Sequence, residues 1–154
     1  MFSLKSSSMV KATRYDVFIS FRGEDTRHGF TSHLYKELCR KKMEAFIDDE
    51  KLRRGDEISE ALLKAIEESR GSVIVFSGDY ASSRWCLDEL VKIMDSKKSN
   101  PRNYFVVPVF YCVDPSDVRK QRGSFSDAFA KHDVEKIKSW SCQFIRLGFT
   151  RHSA

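Results

Sequence analysis

This chain is poor in paired cysteines, in long apolar runs and in glycine-rich loops. Its cysteines, Cys39, Cys86, Cys112 and Cys142, form no Cys-x-x-Cys pair, and its four histidines are not spaced as zinc partners. No metal site is therefore written here, and reduced thiols in a cytosolic protein are the expected state. No run approaches the roughly 18 apolar residues of a membrane span. Met1 to Thr13 lacks the apolar core of a signal peptide and reads as a mobile tail. There is no Gly-x-Gly-x-x-Gly after a strand and no Walker loop, which removes two common phosphate cradles. The absence of Gly-x-Ser-x-Gly argues against a serine hydrolase of the α/β type. A phosphoacceptor aspartate ending the third strand is also missing, since that place falls near Ser77, with Asp79 the nearest acid.

The 154 residues that are present, 41% apolar and 32% charged, suit one domain with a real core. The net charge of +5, from 27 basic and 22 acidic side chains, permits contact with phosphates or nucleic acid without requiring it. A solvated basic surface is the plainer reading.

Tyr15–Ser20 is a short apolar run rich in strand formers and reads as a buried strand. A polar loop, Phe21–Arg27, follows it. Phe30, Leu34, Tyr35 and Leu38 then recur at helical spacing, leaving Ser32 and His33 exposed. Glu44–Ile47 reads as a second strand running into the charged loop Asp48–Gly55. Asp56 can cap a helix whose buried face is Ile58, Leu62, Ala65 and Ile66, with Leu63 beside it and Gly71 as its stop. Ser72–Phe76 is a third strand and Trp85–Met94 a helix. Ser96–Asn103 reads as a polar connector before a strand within Tyr104–Val113. Pro108 is awkward there because it cannot donate to a ladder. Asp114-Pro115-Ser116 marks a helix start, and Val118–Lys131 reads as one or two helices broken at Gly123.

Strands alternating with helices, the strands continuously apolar, imply an α/β fold with a parallel sheet covered on both faces. Ligands gather at the C-terminal strand ends of such sheets. The loops arriving there are Phe21–Arg27, Asp48–Gly55, Ser77–Trp85 and Asp114–Ser116.

The most suggestive stretch is Trp85-Cys86-Leu87-Asp88-Glu89. If Leu87, Leu90, Val91 and Met94 form the apolar stripe, Glu89 lies about 200° from Leu87 and faces outward, with Trp85 and Cys86 beside it. A carboxylate so placed can stabilise the oxocarbenium-like cation that develops when an N-glycosidic bond breaks. Trp85 could stack on a sugar or base, and Arg22 or Arg53 could hold phosphates. The plainer alternatives are a solvated helix carboxylate, a packing tryptophan and arginines paired within their loops.

Tyr15-Asp16-Val17-Phe18-Ile19-Ser20-Phe21-Arg22-Gly23-Glu24-Asp25-Thr26-Arg27 resembles the opening motif of plant Toll/interleukin-1 receptor (TIR) domains of the immune-receptor type. Phe30–Tyr35, Phe46–Asp49, Leu52–Gly55, Tyr80–Leu90 and Val107–Arg119 follow in that family's order, so the likeness covers about Arg14 to Asp133. It implies a flavodoxin-like, five-stranded parallel sheet (the TIR fold) over residues 14–150, with 151–154 a tail, and it accommodates Pro108.

The resemblance also implies an NAD⁺ nucleosidase of plant immunity. Such an enzyme releases nicotinamide, makes ADP-ribose-type and cyclic signals, and promotes cell death through lipase-like immune partners. NAD⁺ is the substrate and no cofactor is implied. Glu89 matches the catalytic glutamate, while Arg22, Asp49, Arg53 and Trp85 match nucleotide-contacting positions. Cys86 matches a position linked to a second activity, formation of 2′,3′-cyclic nucleotides from RNA or DNA. Ser32 and His33 match a self-association face, and the Asp48–Gly55 loop one that orders when copies pack head to tail. The implied protein is a homo-oligomer in the cytoplasm or nucleus, without membrane contact, and a partner for TIR-containing immune receptors. The alternatives are a non-enzymatic homotypic scaffold or adaptor and the nucleic-acid-dependent synthetase. The sequence departs from the family's pattern at Ser141–Thr150, where an Ala-Leu-rich helix is expected, and reads as a TIR-only or truncated chain.

Overall fold

A computed structural model describes residues 13–47 and 60–129. It contains strands β1 (Val17–Ser20), β2 (Ala45–Ile47), β3 (Gly71–Phe76) and β4 (Phe105–Phe110). All pair in parallel, in the order β2-β1-β3-β4. The helices are α1 (Gly23–Thr26), α2 (Phe30–Arg40), α3 (Glu60–Glu67), α4 (Arg84–Ser99), α5 (Pro115–Lys120) and α6 (Ser124–Phe129), with a 3₁₀ turn at Tyr80–Ser82. Five strands were expected; four lie among the described residues.

Every side chain of β1 is buried, as a strand covered on both faces requires. Alternation sends Phe18, Ile74 and Phe76 into a core with Leu62 and Ile66 of α3 and Leu87, Leu90 and Ile93 of α4. Their neighbours Ile19 and Val75 meet Phe30, Leu34 and Leu38 of α2 on the other face. The chain leaves β1 for β2 on one side and returns through β3 on the other. The order therefore reverses between β1 and β3, and the C-terminal ends of those two strands, Ser20 and Phe76, mark the switch point at which open α/β sheets bind ligands.

Several boundaries differ from those expected. β1 begins at Val17, and Tyr15 makes only an isolated bridge to Ser69. α4 runs on through Ser99, past the expected connector at Ser96, and Lys97 near its end donates to the Pro101 carbonyl at 2.8 Å. Ser83 begins α4, its hydroxyl accepting from the Cys86 amide at 3.1 Å. Asp114 caps α5 in the same way through Ser116 N, at 2.8 Å. The break at Gly123 separates α5 from α6, with positive φ at Gln121 and Gly123. The expected Asp56 cap, Ile58 and the atypical segment from 141 lie outside the described residues.

Pro108 sits in the middle of β4, opposite Ile74. Phe105 N donates to Arg70 O and Tyr111 N to Phe76 O. Odd-numbered residues thus face β3, and the nitrogen of Pro108 points away from it, so the ladder loses nothing there.

Gly71 is not the stop of α3. It opens β3, and a Cβ there would lie 2.3 Å from the Phe105 ring. Glycine is required by that close approach between adjacent strands. Gly71→Ala should therefore cost about 1–3 kcal/mol by overpacking. Urea unfolding checks this, and in a Phe105→Ala background the same substitution should cost less than half as much.

Candidate active site

Two strand-end loops meet at Asp25. Arg22 leaves β1 and donates to Asp25 Oδ1 and Glu24 Oε1, both at 2.6 Å. Burial alone would lower the guanidinium's pKa. The hydrogen bond to Asp25 and the charges of Asp25, Glu24 and Asp79 outweigh that and raise it. The other oxygen of Asp25 accepts from Ser77 Oγ at 2.5 Å and from the Asp79 amide at 3.3 Å. One carboxylate thus ties the loop after β1 to the loop after β3. A buried contact between Thr26 and Thr31 hydroxyls, at 2.7 Å, fixes α1 to α2 behind it. Arg22 is therefore half-buried with a set orientation, an ion-pair partner within its own loop.

Glu89 does not face outward. It is wholly buried. The buried residues of α4 are Cys86, Leu87, Glu89, Leu90, Ile93 and Met94. At 100° per residue they span an arc of about 160° centred between Ile93 and Leu90. Leu87 lies at one edge of that arc and Glu89 near the other. Measuring from Leu87 placed Glu89 on the far side, although it lies just inside the covered sector; Val91, taken for part of the stripe, is only half-buried and Ile93 takes its place.

One oxygen of the carboxylate meets a hydroxyl that is itself backed by a second. Ser20, the last residue of β1, donates to Glu89 Oε1 at 2.7 Å. Tyr80 Oη lies 2.8 Å from Ser20 Oγ and donates to the Cys86 carbonyl at 3.1 Å. Burial above all, helped by the charges of Cys86 and Glu89, pushes the Tyr80 phenol well above its usual pKa, against the Ser20 hydrogen bond that lowers it. Tyr80 therefore stays an O–H donor at any ordinary pH.

Cys86 is also buried, a second correction, because it lies near the centre of the covered arc, and its thiol donates to the Phe21 carbonyl at 3.4 Å. Trp85 is half-buried and packs against the core, as its plainer reading had it, and its buried Nε1 has no hydrogen-bond partner among the described residues. Ser32 is half-buried and His33 exposed on α2, some distance along the chain from this cluster. Asp49 and Arg53 lie outside the described residues. Among the described residues no group of His, Cys, Asp and Glu could hold a metal ion.

Ser20, Tyr80, Asp25 and Ser77 escaped the sequence reading. Their signal was faint: polar residues ending two apolar strands, and acids and aromatics in the loops just beyond.

A family model described as TIR domain matches residues 14–154. The chain belongs to the TIR domain family. It is 57% identical over 141 residues to disease resistance protein RPV1 of Vitis rotundifolia, covering 90% of this chain and 10% of that protein. It is 52% identical over 143 residues to TMV resistance protein N of Nicotiana glutinosa, covering 89% of this chain and 12% of that protein. The chain thus spans about a tenth of the length of these relatives. The TIR domains in the structure of the activated Roq1 resistosome, which directly recognizes the pathogen effector XopQ, superpose with a TM-score of 0.81. They share 47% identity, and the match covers 89% of this chain and 85% of that one. This is a TIR domain of the plant disease-resistance type. Among its described residues no helix is long and apolar enough to cross a membrane.

If Asp25 is the tie between the two loops of this TIR domain, Asp25→Ala should release both. Three contacts to a largely buried carboxylate go at once, so a loss of about 2–4 kcal/mol is expected in urea unfolding. Hydrogen exchange at the Asp79 amide should accelerate, while amides of β2 stay protected.

Proposed function

We propose that this TIR domain is a self-assembling NAD⁺ nucleosidase of plant innate immunity, with Glu89 as its catalytic carboxylate. The observation carrying this reading is a glutamate at the switch point of the sheet, fixed by a strand-end hydroxyl inside an otherwise apolar core. Structural economy does not account for a buried acid, because an apolar side chain of like volume would be cheaper there. Relatives bearing disease-resistance names supply the immune context.

In the proposed reaction the bond between ribose C1′ and the nicotinamide nitrogen breaks. The electron pair leaves with nicotinamide, which departs neutral, and positive charge develops on the ribose. Glu89 stabilises that charge. Water then adds at C1′, losing a proton, to give ADP-ribose; capture by a nucleophile of the same molecule gives a cyclic product instead. Arg22 offers its charge to the diphosphate and Trp85 a stacking surface. Asp49 and Arg53 belong to this proposed site from the 48–55 loop. The products act on lipase-like immune partners, in the cytoplasm or nucleus, to promote cell death.

Burial of Glu89 bears on regulation. A carboxylate with no exposed surface cannot meet a ribose until its cover shifts, so an isolated copy is silent in this state. Self-association through the α2 face that carries Ser32 and the exposed His33 would shift that balance. The Roq1 comparison supports this, since those TIR domains belong to an activated resistosome.

Nicotinamide release should rise faster than linearly with protein concentration and fall at least about 1,000-fold in Glu89→Ala. It should fall at low protein concentration in His33→Ala and recover on crowding. Release that is absent at every concentration, with signalling retained in Glu89→Ala, would mark the domain as a non-enzymatic homotypic scaffold.

A further inference from the structure

Three contacts run in line from Glu89 Oε1 through Ser20 Oγ and Tyr80 Oη to the Cys86 carbonyl, at 2.7, 2.8 and 3.1 Å. Two hydroxyl hydrogens serve them. Ser20 gives its hydrogen to Glu89 and so can only accept from Tyr80. The phenolic hydrogen then lies between Ser20 Oγ and the Cys86 carbonyl. Both hydroxyls stand on rigid parts of the fold. Ser20 is wholly buried, ends β1 and is paired with Ile74. Tyr80 is wholly buried and packs edge-on to Phe76 with ring centroids 5.1 Å apart. The Cys86 carbonyl returns the chain to α4, one turn before Glu89, so Tyr80 links the hydroxyl that meets the carboxylate to the helix that carries it.

We propose that Ser20, backed by Tyr80, is the positioning residue of the site: its hydroxyl fixes the Glu89 carboxylate in the orientation in which it meets the ribose. The inference rests on the reading of Glu89 as the carboxylate at the reacting sugar. Glutamate has a freely turning terminal torsion, and transition-state stabilisation requires its oxygens to be set in advance. Ser20 itself touches no substrate, so its loss acts on the chemical step rather than on binding.

The experiment compares nicotinamide release by the native chain, Ser20→Ala, Ser20→Thr and Tyr80→Phe at a concentration where the native chain is active. Ser20→Ala should lower kcat by about 10- to 100-fold, with KM changed less than about twofold. Ser20→Thr keeps the hydroxyl and should recover most of the rate, and Tyr80→Phe should fall between. A packing role gives the reverse order, because the smaller alanine is easier to accommodate in a full core than threonine. Native kcat in Ser20→Ala, or Ser20→Thr no better than Ser20→Ala, overturns the proposal. A second measurement stands apart from activity: urea midpoints of Ser20→Ala, Glu89→Ala and the double variant. Non-additive shifts support the contact, and additive ones overturn it. A native chain that releases no nicotinamide would overturn the enzymatic reading alone, leaving this cycle to decide whether Ser20 holds Glu89.

Discussion

A carboxylate inside a dry core is the constraint from which the rest of this architecture is best understood. Removing such a group from water costs several kcal/mol unless donors meet it. Ser20 meets Glu89, Tyr80 stands behind Ser20, and the Cys86 carbonyl takes what Tyr80 offers. Each partner comes from a different element: the end of β1, the 3₁₀ turn and the first turn of α4. The placement of all three is therefore coupled, and a shift in any one would strand a buried polar group. This explains why polar side chains occur where the strand period calls for apolar ones. Ser20 closes the run Val17–Ser20 and is as deeply buried as Phe18 and Ile19.

Topology puts that cluster where chemistry can use it. β1 lies between β2 and β3, so its C-terminal end adjoins the point where strand order reverses. The loops after β1 and β3 flank that point, and Asp25 ties them through Ser77 and the Asp79 amide. Arg22 is held by the same carboxylate. A buried carboxylate and an oriented guanidinium thus lie near the same strand end. They suit a ligand that develops positive charge at one end and carries phosphates at the other.

The sequence conveyed the layers well and the facing of one helix badly. Continuous apolar runs at Tyr15–Ser20 and Ser72–Phe76 gave a covered parallel sheet, because only burial on both faces tolerates such runs. The helix start at Asp114 and the break at Gly123 follow from local chemistry, and they belong to the legible kind. Glu89 was misplaced because a stripe built on Leu87, Leu90, Val91 and Met94 takes no account of a second cover. The 3₁₀ turn packs on the flank of α4 and widens its buried arc past what apolar residues mark. Gly71 was misread for a related reason: its role is set by Phe105, more than thirty residues on, and no local rule reports that approach. The Ser20–Tyr80–Glu89 cluster joins residues 60 and 69 positions apart, so it could be assembled only in three dimensions. The family resemblance singled out Glu89 where periodicity alone left it open.

On the proposed reading, burial of the candidate carboxylate also relates assembly to activity. If exposing Glu89 costs a single copy about 2.7 kcal/mol, roughly one copy in a hundred is competent at any moment. Its apparent activity is scaled down by the same factor. A neighbour that binds only the open arrangement removes that factor without adding a chemical group. The interactions that keep the site closed then act as a threshold rather than as a defect. They hold the acid where its hydroxyl partners have already oriented it, and they make its availability a matter of how many copies are brought together. A stronger hold would demand more of the assembly interface, while a weaker one would let isolated copies turn over substrate. The number and geometry of contacts around Ser20 and Asp25 are therefore where such a threshold would be tuned.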